Sequence, residues 1–182
     1  MKNWFIIRLS RQLLPEKAFW FFLLAASVLL LFANQGCYDK TSRPVMGQKA
    51  PDFSCRCIND SRQELSQFKG NVVLIRFWAD WCRSCVKEMP IIDKYYRSAK
   101  NKGFVVLAVN VKQSRADIEA FARKFKLSFP IVLDEEGKIT KIYDVKRVPT
   151  HFLIDRDGII RSIYLGPIGD ENELAKFLEP YL

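Results

Sequence analysis

Histidine and cysteine are both scarce in this sequence. Its 182 residues include a single histidine, His151, and five cysteines, and they contain no internal repeat or low-complexity tract. Five cysteines are too few for a small disulfide-packed scaffold, and an odd number cannot all pair within one chain. The sequence has one Cys-x-x-Cys pair, Cys82 and Cys85, and no second one. A tetrahedral zinc site would therefore also need Cys55 and Cys57 as ligands. The sequence therefore predicts no bound metal.

The composition places the chain among globular proteins and leaves its partners open. Apolar residues make up 49% of it and aromatic residues 13%, which excludes a disordered or collagen-like chain. The length accommodates one domain of roughly 100–150 residues and a remainder. The formal net charge of +9 and the pI of about 9.4 suit binding to nucleic acid or to a membrane. Composition alone does not choose between these two.

The residues beyond the single predicted domain lie at the N-terminus and have the pattern of a membrane-directed segment. Residues 18–33 carry no charge, and the residues before them carry four basic side chains against one acidic side chain. The positive-inside rule places the N-terminus in the cytoplasm and the following domain outside. The apolar run spans roughly 24 Å, less than the usual core of about 30 Å. An uncleaved anchor, a lipoprotein signal with lipidation at Cys37 and a cleaved signal peptide therefore stay open. We predict an anchor or lipoprotein signal over 1–37, a tether over 38–49 and a domain over 50–182.

Hydrophobic periodicity in residues 50–182 predicts an α/β domain. Short β-branched and aromatic runs indicate strands, and amphipathic spacing indicates helices. Turn residues at Asn59–Asp60 and at 156–158 indicate two hairpins. The predicted order is β-β-β-α-β-α-β-α-β-β-α. Strands are expected over 52–58, 63–65, 71–78, 104–110, 131–133, 152–154 and 159–165. Helices are expected over 82–100, 137–143 and 170–182, and one more helix is expected to begin after an N-cap at Ser114.

Cys82 and Cys85 carry the chemistry that the sequence predicts. They stand at i and i+3 on the first turn of the helix after the central strand, close enough to form a disulfide. The helix start supplies backbone N–H groups and the positive end of the helix dipole, which favour a thiolate at Cys82. Half of a zinc site, or two inert buried cysteines, would have the same spacing. The lack of a second Cys-x-x-Cys and the position between strand and helix favour a redox pair.

The sequence around these cysteines resembles the active site of thioredoxin-fold proteins, and more narrowly the TlpA/ResA group of membrane-tethered thiol–disulfide oxidoreductases. The resemblance rests on Phe77–Pro90 and on Ala50–Phe53, Phe68–Gly70 and Val148–Asp155, in the same order. It implies a thioredoxin fold with an N-terminal β-hairpin and a central βα insertion, preceded by one membrane-anchor or signal segment. It also implies an enzyme that works through a redox-active disulfide and needs no cofactor.

The resemblance implies a role for each residue of these motifs. Cys82 would exchange disulfides with a partner, and Cys85 would resolve the mixed disulfide. Glu88 matches an acidic residue that shuttles the proton of the resolving thiol, with a solvated surface glutamate as the alternative. Pro149 matches a cis-proline whose turn exposes the preceding backbone to an extended substrate segment. The implied substrate-binding residues are Trp81, Val148, Pro149 and Thr150.

Three residues depart from the family pattern and are expected to modulate the site. Arg76 stands on the central strand, where the family has an aspartate or a neutral residue, and an unpaired buried arginine is costly. We expect an Arg76–Glu88 contact that keeps Glu88 ionised and weakens it as a proton donor. Arg83 would place a positive charge beside the attacking thiolate or point into solvent. Ser84 replaces a proline whose loss can shift the reduction potential. His151 is expected to face the sheet without a catalytic role.

Cys55 and Cys57 form a Cys-x-Cys pair for which the resemblance does not account, because the family has apolar residues there. On a strand the two side chains share one face. Small buried core residues, a second redox pair and a Cu(I)-binding thiol pair all fit this placement, since soft thiolates suit Cu(I). If Cys82 and Cys85 form one pair and Cys55 and Cys57 form another, Cys37 is the one unpaired cysteine, which favours its lipidation.

By this resemblance, the chain is expected to be a tethered enzyme on the outer side of a bacterial cytoplasmic membrane. The resemblance implies reduction of disulfides in exported proteins, with c-type apocytochromes as leading substrates and a transmembrane thiol electron donor of the CcdA/DsbD type. Nucleic acid is not an expected partner, because the positive charge is divided between the N-terminal flank and the domain. A copper chaperone of the Sco type and a peroxiredoxin-like peroxidase are the alternatives. The first needs a Cys-x-x-x-Cys with a suitably placed histidine, and the second needs a Pro-x-x-x-Thr-x-x-Cys motif that this sequence lacks.

Overall fold

A computed structural model describes residues 43–182 of the chain. The predicted anchor or signal over 1–37, the lipidation of Cys37 and the first part of the tether lie outside the described residues. Among the residues described, no helix is both long and apolar enough to cross a membrane.

The secondary structure follows the predicted order. The strands are β1 (Ser54–Cys57), β2 (Arg62–Glu64), β3 (Val72–Trp78), β4 (Phe104–Val111), β5 (Ile131–Asp134), β6 (Thr150–Ile154) and β7 (Ile160–Leu165), and the helices are α1 (Arg83–Ala99), α2 (Arg115–Phe125), α3 (Lys138–Ile142) and α4 (Glu171–Leu178). Ser114 caps α2, as predicted, by accepting a hydrogen bond from the backbone N–H of Asp117. The last helix is shorter than predicted. It gives way to a 3₁₀ turn over Glu179–Tyr181, because Pro180 has no N–H for a further α-helical bond.

The seven strands form one mixed sheet in the order β2-β1-β5-β4-β3-β6-β7. The three inner strands β3, β4 and β5 run parallel, and the two predicted hairpins, β1–β2 and β6–β7, lie at opposite ends of the sheet. All seven residues of β3 are buried, because β4 and β6 flank this strand and apolar cores cover both faces. This architecture agrees with the predicted α/β fold.

The two faces of the sheet hold separate apolar cores. Helices α1, α2 and α4 pack on one face around Trp78, whereas α3 and the first hairpin pack on the other face around Phe77. Successive side chains of a strand point to opposite faces. Arg76 and Trp78 therefore share the face that α1 covers. A side chain of β3 and one of α1 can meet there, next to the point where β3 ends.

Candidate active site

A disulfide joins Cys82 and Cys85 where β3 passes into α1. Cys82 is the N-cap of α1, and its Sγ accepts a hydrogen bond from the backbone N–H of Cys85 at 3.3 Å. Cys82 keeps 8% of its surface exposed, whereas Cys85 is fully buried. The pair therefore has one cysteine that keeps a little exposed surface and one that is enclosed in the core. The N–H groups of the helix start favour negative charge on the outer sulfur.

A cis peptide bond between Val148 and Pro149 directly precedes β6. Thr150, the first residue of β6, pairs with Phe77 near the end of β3. This register brings Pro149 to the same end of the sheet as the disulfide. The Thr150 hydroxyl donates to the Arg147 carbonyl at 2.7 Å, which ties the loop to the start of the strand.

Arg76, Glu88 and His151 form a buried polar cluster next to the Cys85 turn. Arg76 Nη2 lies 2.7 Å from Glu88 Oε2 and donates to the Cys85 carbonyl at 2.8 Å. His151 Nε2 lies 3.5 Å from Glu88 Oε1 without a hydrogen bond between them, and this oxygen accepts the backbone N–H of Ile168. No more than 2% of any of the three side chains is exposed. The contact expected between Arg76 and Glu88 is present, and Glu88 is not a solvated surface residue.

Burial and charge set the protonation of this cluster. Burial lowers the pKa of Arg76 to about 10, against the opposing effect of the Glu88 carboxylate. The guanidinium therefore stays charged at neutral pH. Burial also lowers the pKa of His151, and the Arg76 charge acts in the same direction while Glu88 opposes both. The cluster thus combines one buried ion pair with a neutral imidazole.

The sequence-based interpretation missed the contact of His151 with Glu88. Strand β6 begins at Thr150, two residues before its predicted start, and its register places His151 directly opposite Arg76 on β3. Arg76 interrupts an apolar run and His151 directly precedes one, which is a signal that the sequence does carry. The register of β6 against β3, which places His151 opposite Arg76, could not be inferred from these runs. The N–H of Ile168, which lies in the segment after β7, has no sequence signal.

Acid pH is expected to destabilise the folded chain through His151. Burial lowers the pKa of His151 in the folded state, whereas an unfolded histidine titrates near about pH 6.5. Below that pH the unfolded state binds a proton that the folded state does not. The free energy of unfolding should then fall by up to about 1.4 kcal/mol per pH unit. Denaturant unfolding between about pH 7 and pH 5 measures this loss.

The matched variant for this measurement is His151→Gln. His151 is the only histidine of the chain, so no other side chain with that ordinary pKa contributes in this interval. The free energy of unfolding of the variant should change less with pH than that of the unsubstituted chain. Equal slopes for the two proteins would contradict the buried, neutral state of His151.

The three predicted residues next to Cys82 differ in exposure. Trp81 is 68% exposed, which leaves a large indole at the surface beside the outer sulfur. Ser84 Oγ lies 3.4 Å from Cys82 Sγ. The exposed Arg83 lines a groove of about 520 Å³ together with Ser84 and Glu88. An exposed indole and an open groove are suited to contacts with a protein substrate. The influence of Arg83 and Ser84 on the outer thiolate stays a prediction.

Cys55 and Cys57 do not join this site. They are buried on the same side of β1, as predicted, and they face the core on the opposite side of the sheet from Cys82 and Cys85. Both are free thiols. Their mutual interaction raises the pKa of Cys55 and lowers that of Cys57.

Comparison with known proteins gives consistent similarities. A family model described as AhpC/TSA matches residues 46–163, which include the disulfide and Pro149. The chain is 33% identical to the thiol–disulfide oxidoreductase ResA of Geobacillus kaustophilus over 93% of this chain and 96% of that protein. It is 37% identical to ResA of Bacillus subtilis over 66% of this chain and 67% of that protein.

Solved structures give the same picture. A structure named as a thiol:disulfide interchange protein DsbE from Chlorobium tepidum matches with a TM-score of 0.69 at 32% identity, covering 75% of this chain and 96% of that one. StoA from Bacillus subtilis matches with a TM-score of 0.62 at 29% identity, covering 70% and 96% of the two chains.

Proposed function

The chain belongs to the AhpC/TSA family as a ResA-like thiol–disulfide oxidoreductase of thioredoxin-like fold, and from this premise we propose that it reduces disulfides in exported proteins. The observation that carries the proposal is the Cys82–Cys85 pair, in which Cys82 keeps a little exposed surface and Cys85 keeps none. A reductant needs this asymmetry, because the outer thiolate must reach a partner while the inner thiol waits to resolve the adduct. The exposed Trp81 precedes Cys82 in the chain, and the cis-proline loop lies at the same end of the sheet, so both suit contact with an extended substrate segment.

The exchange runs in two steps that balance electrons and protons. In the reduced enzyme the Cys82 thiolate attacks one sulfur of the substrate disulfide and expels the other as a thiolate, which takes a proton from solvent. The Cys85 thiol then loses its proton and attacks Cys82 Sγ. The Cys82–Cys85 disulfide forms, and the second substrate sulfur leaves. The substrate gains two electrons and two protons, and the enzyme is oxidised.

Glu88 is the proposed acceptor of the Cys85 proton. Arg76 contacts both the Glu88 carboxylate and the Cys85 carbonyl, so the carboxylate lies beside the turn that carries the resolving thiol. The arrangement therefore suits the reducing direction, in which the inner thiol must be deprotonated.

The proposed setting is the outer face of a bacterial cytoplasmic membrane, with the domain tethered through its N-terminal segment. A transmembrane thiol carrier of the CcdA/DsbD type would return the enzyme to its dithiol form by the reverse exchange. We propose c-type apocytochromes as substrates, because their haem-attachment Cys-x-x-Cys-His must be reduced before haem is joined. The TlpA/ResA resemblance and the basic flank before residues 18–33 support this setting.

A comparison of rate constants for three substrates tests the assignment of apocytochromes as the substrate class. The reduced full chain is mixed with an oxidised peptide that carries Cys-x-x-Cys-His, and the loss of enzyme thiols is followed by quenched alkylation. The second-order rate constant should exceed that for insulin by about tenfold or more, since docking beside Cys82 adds binding energy to the transition state. A peptide with the same disulfide and scrambled flanks is the control. Equal rates for all three substrates would contradict apocytochromes as the substrate class.

A further inference from the structure

The buried thiols of Cys55 and Cys57 take no part in the exchange described above. They are the two free cysteines of the described residues, and the sheet separates them from Cys82 and Cys85. Only 8% of Cys55 and 1% of Cys57 is exposed. Their side chains lie on one face of β1, and the strand geometry decides what such a pair of thiols can do.

Strand geometry is unfavourable for a disulfide between them. Residues at i and i+2 of a strand are about 6.6 Å apart, and their Cβ atoms are similarly separated. A disulfide requires Cβ atoms about 3.5–4.5 Å apart. Strand β1 cannot bend easily, because Cys55 pairs with Gln63 of β2 while Cys57 pairs with Val132 of β5. Oxidation of this pair would disrupt its register with both neighbouring strands.

A bridging metal ion fits the same separation. Two metal–thiolate bonds of about 2.3 Å each place their sulfurs up to about 4.6 Å apart when they are collinear. Side chains on one face of a strand can span this distance by leaning toward each other. The ion would therefore need no change in the backbone.

The surroundings select a soft ion with two ligands. In residues 43–182 no group of three or more His, Cys, Asp or Glu side chains is placed to hold a metal. Asp134, the nearest acidic residue on β5, already accepts hydrogen bonds from Ile139 and Thr140 at the start of α3. A hard cation would lack a full set of oxygen ligands here, and zinc would lack two of its four ligands. Two thiolates alone suit Cu(I).

We propose that Cys55 and Cys57 form a two-sulfur binding site for a soft monovalent cation of the Cu(I) class. Binding forms two metal–sulfur bonds and releases the two thiol protons to solvent, and no electron is transferred. The ion would enter through an open recess of about 270 Å³ with Cys55 in its wall. The recess is also lined by three basic and three acidic residues, so its charges balance: Arg56, Arg115, Lys138, Asp134, Glu135 and Glu136.

The test uses the full chain with Cys37 replaced by serine and with Cys82–Cys85 kept as a disulfide. Cys55 and Cys57 are then the only thiols. Cu(I) is added without oxygen as its acetonitrile complex, and a chromophoric chelator competes for it. We expect one Cu(I) per chain. Cys55→Ser and Cys57→Ser should each weaken binding by more than the roughly 10–100-fold that changes around a metal ligand cost.

The controls separate this site from incidental binding. Ser54→Ala, on the opposite face of the same strand, should bind Cu(I) like the parent chain, and circular dichroism checks that each variant is folded. X-ray absorption of the copper-loaded parent should count two sulfur ligands, which tests the proposal even if a serine variant does not fold. Unchanged binding after both serine substitutions would overturn the proposal. So would tighter retention of Zn²⁺ than of Cu(I), or quantitative formation of a Cys55–Cys57 disulfide on mild oxidation.

Discussion

Cys82→Ser is expected to abolish disulfide reduction, lowering turnover of insulin by about a thousandfold or more. Cys82 is the member of the pair that reaches the surface, while Cys85 is fully buried. A serine hydroxyl is not ionised at neutral pH and cannot form a mixed disulfide, so the first step has no nucleophile. The measurement is the initial rate of insulin reduction with a chemical reductant that regenerates the enzyme.

Cys85→Ser is the matched comparison, because it removes the same atom from the other half of the pair. This variant keeps the attacking thiolate and loses the resolving thiol. We expect a single burst that releases one substrate thiol, followed by accumulation of a mixed disulfide on Cys82. In intact cells the same variant should capture exported thiol proteins. Sustained turnover by Cys85→Ser, or adducts on Cys82→Ser instead, would contradict the roles given to the two sulfurs.

The order of elements could be predicted because each element is encoded locally. The buried strand predicted over 71–78 is observed over Val72–Trp78, and the helix predicted over 82–100 is observed over Arg83–Ala99. A run of β-branched residues, an N-cap and a turn are all decided by neighbours in sequence. The differences fall at element ends. There a strand partner, as for β6, or a missing N–H, as at Pro180, decides where the element begins or ends.

In the candidate site too, the features encoded locally could be predicted and those that depend on strand pairing could not. The Cys82–Cys85 spacing and the Arg76–Glu88 contact could be predicted, the second because a buried arginine requires a negative partner. The contact of His151 with Glu88 could not, because it depends on the register between β6 and β3. Tertiary pairing of this kind is absent from local periodicity.

Arg76→Met is expected to be among the most destabilising single substitutions in the described chain. Arg76 is fully buried and Glu88 is 2% exposed, and their charged atoms are 2.7 Å apart. Removing the guanidinium leaves a carboxylate in the core without its partner. The free energy of unfolding should fall by about 3–5 kcal/mol at neutral pH, as measured by urea unfolding.

The double variant Arg76→Met/Glu88→Gln separates the lost ion pair from lost packing. Glutamine removes the charge but keeps an acceptor for the N–H of Ile168, so it should recover most of the loss, and the cycle gives the coupling energy. In Arg76→Met alone, folding forces Glu88 to take up a proton that the unfolded state binds only near about pH 4.3. Its deficit should therefore shrink as the pH falls toward that value. A deficit that is independent of pH would mean that Arg76 contributes packing only.

Arg76→Asn tests the catalytic role of Arg76. If Arg76 governs proton transfer through Glu88, the pH profile of Cys82 alkylation in the reduced enzyme must shift in this variant.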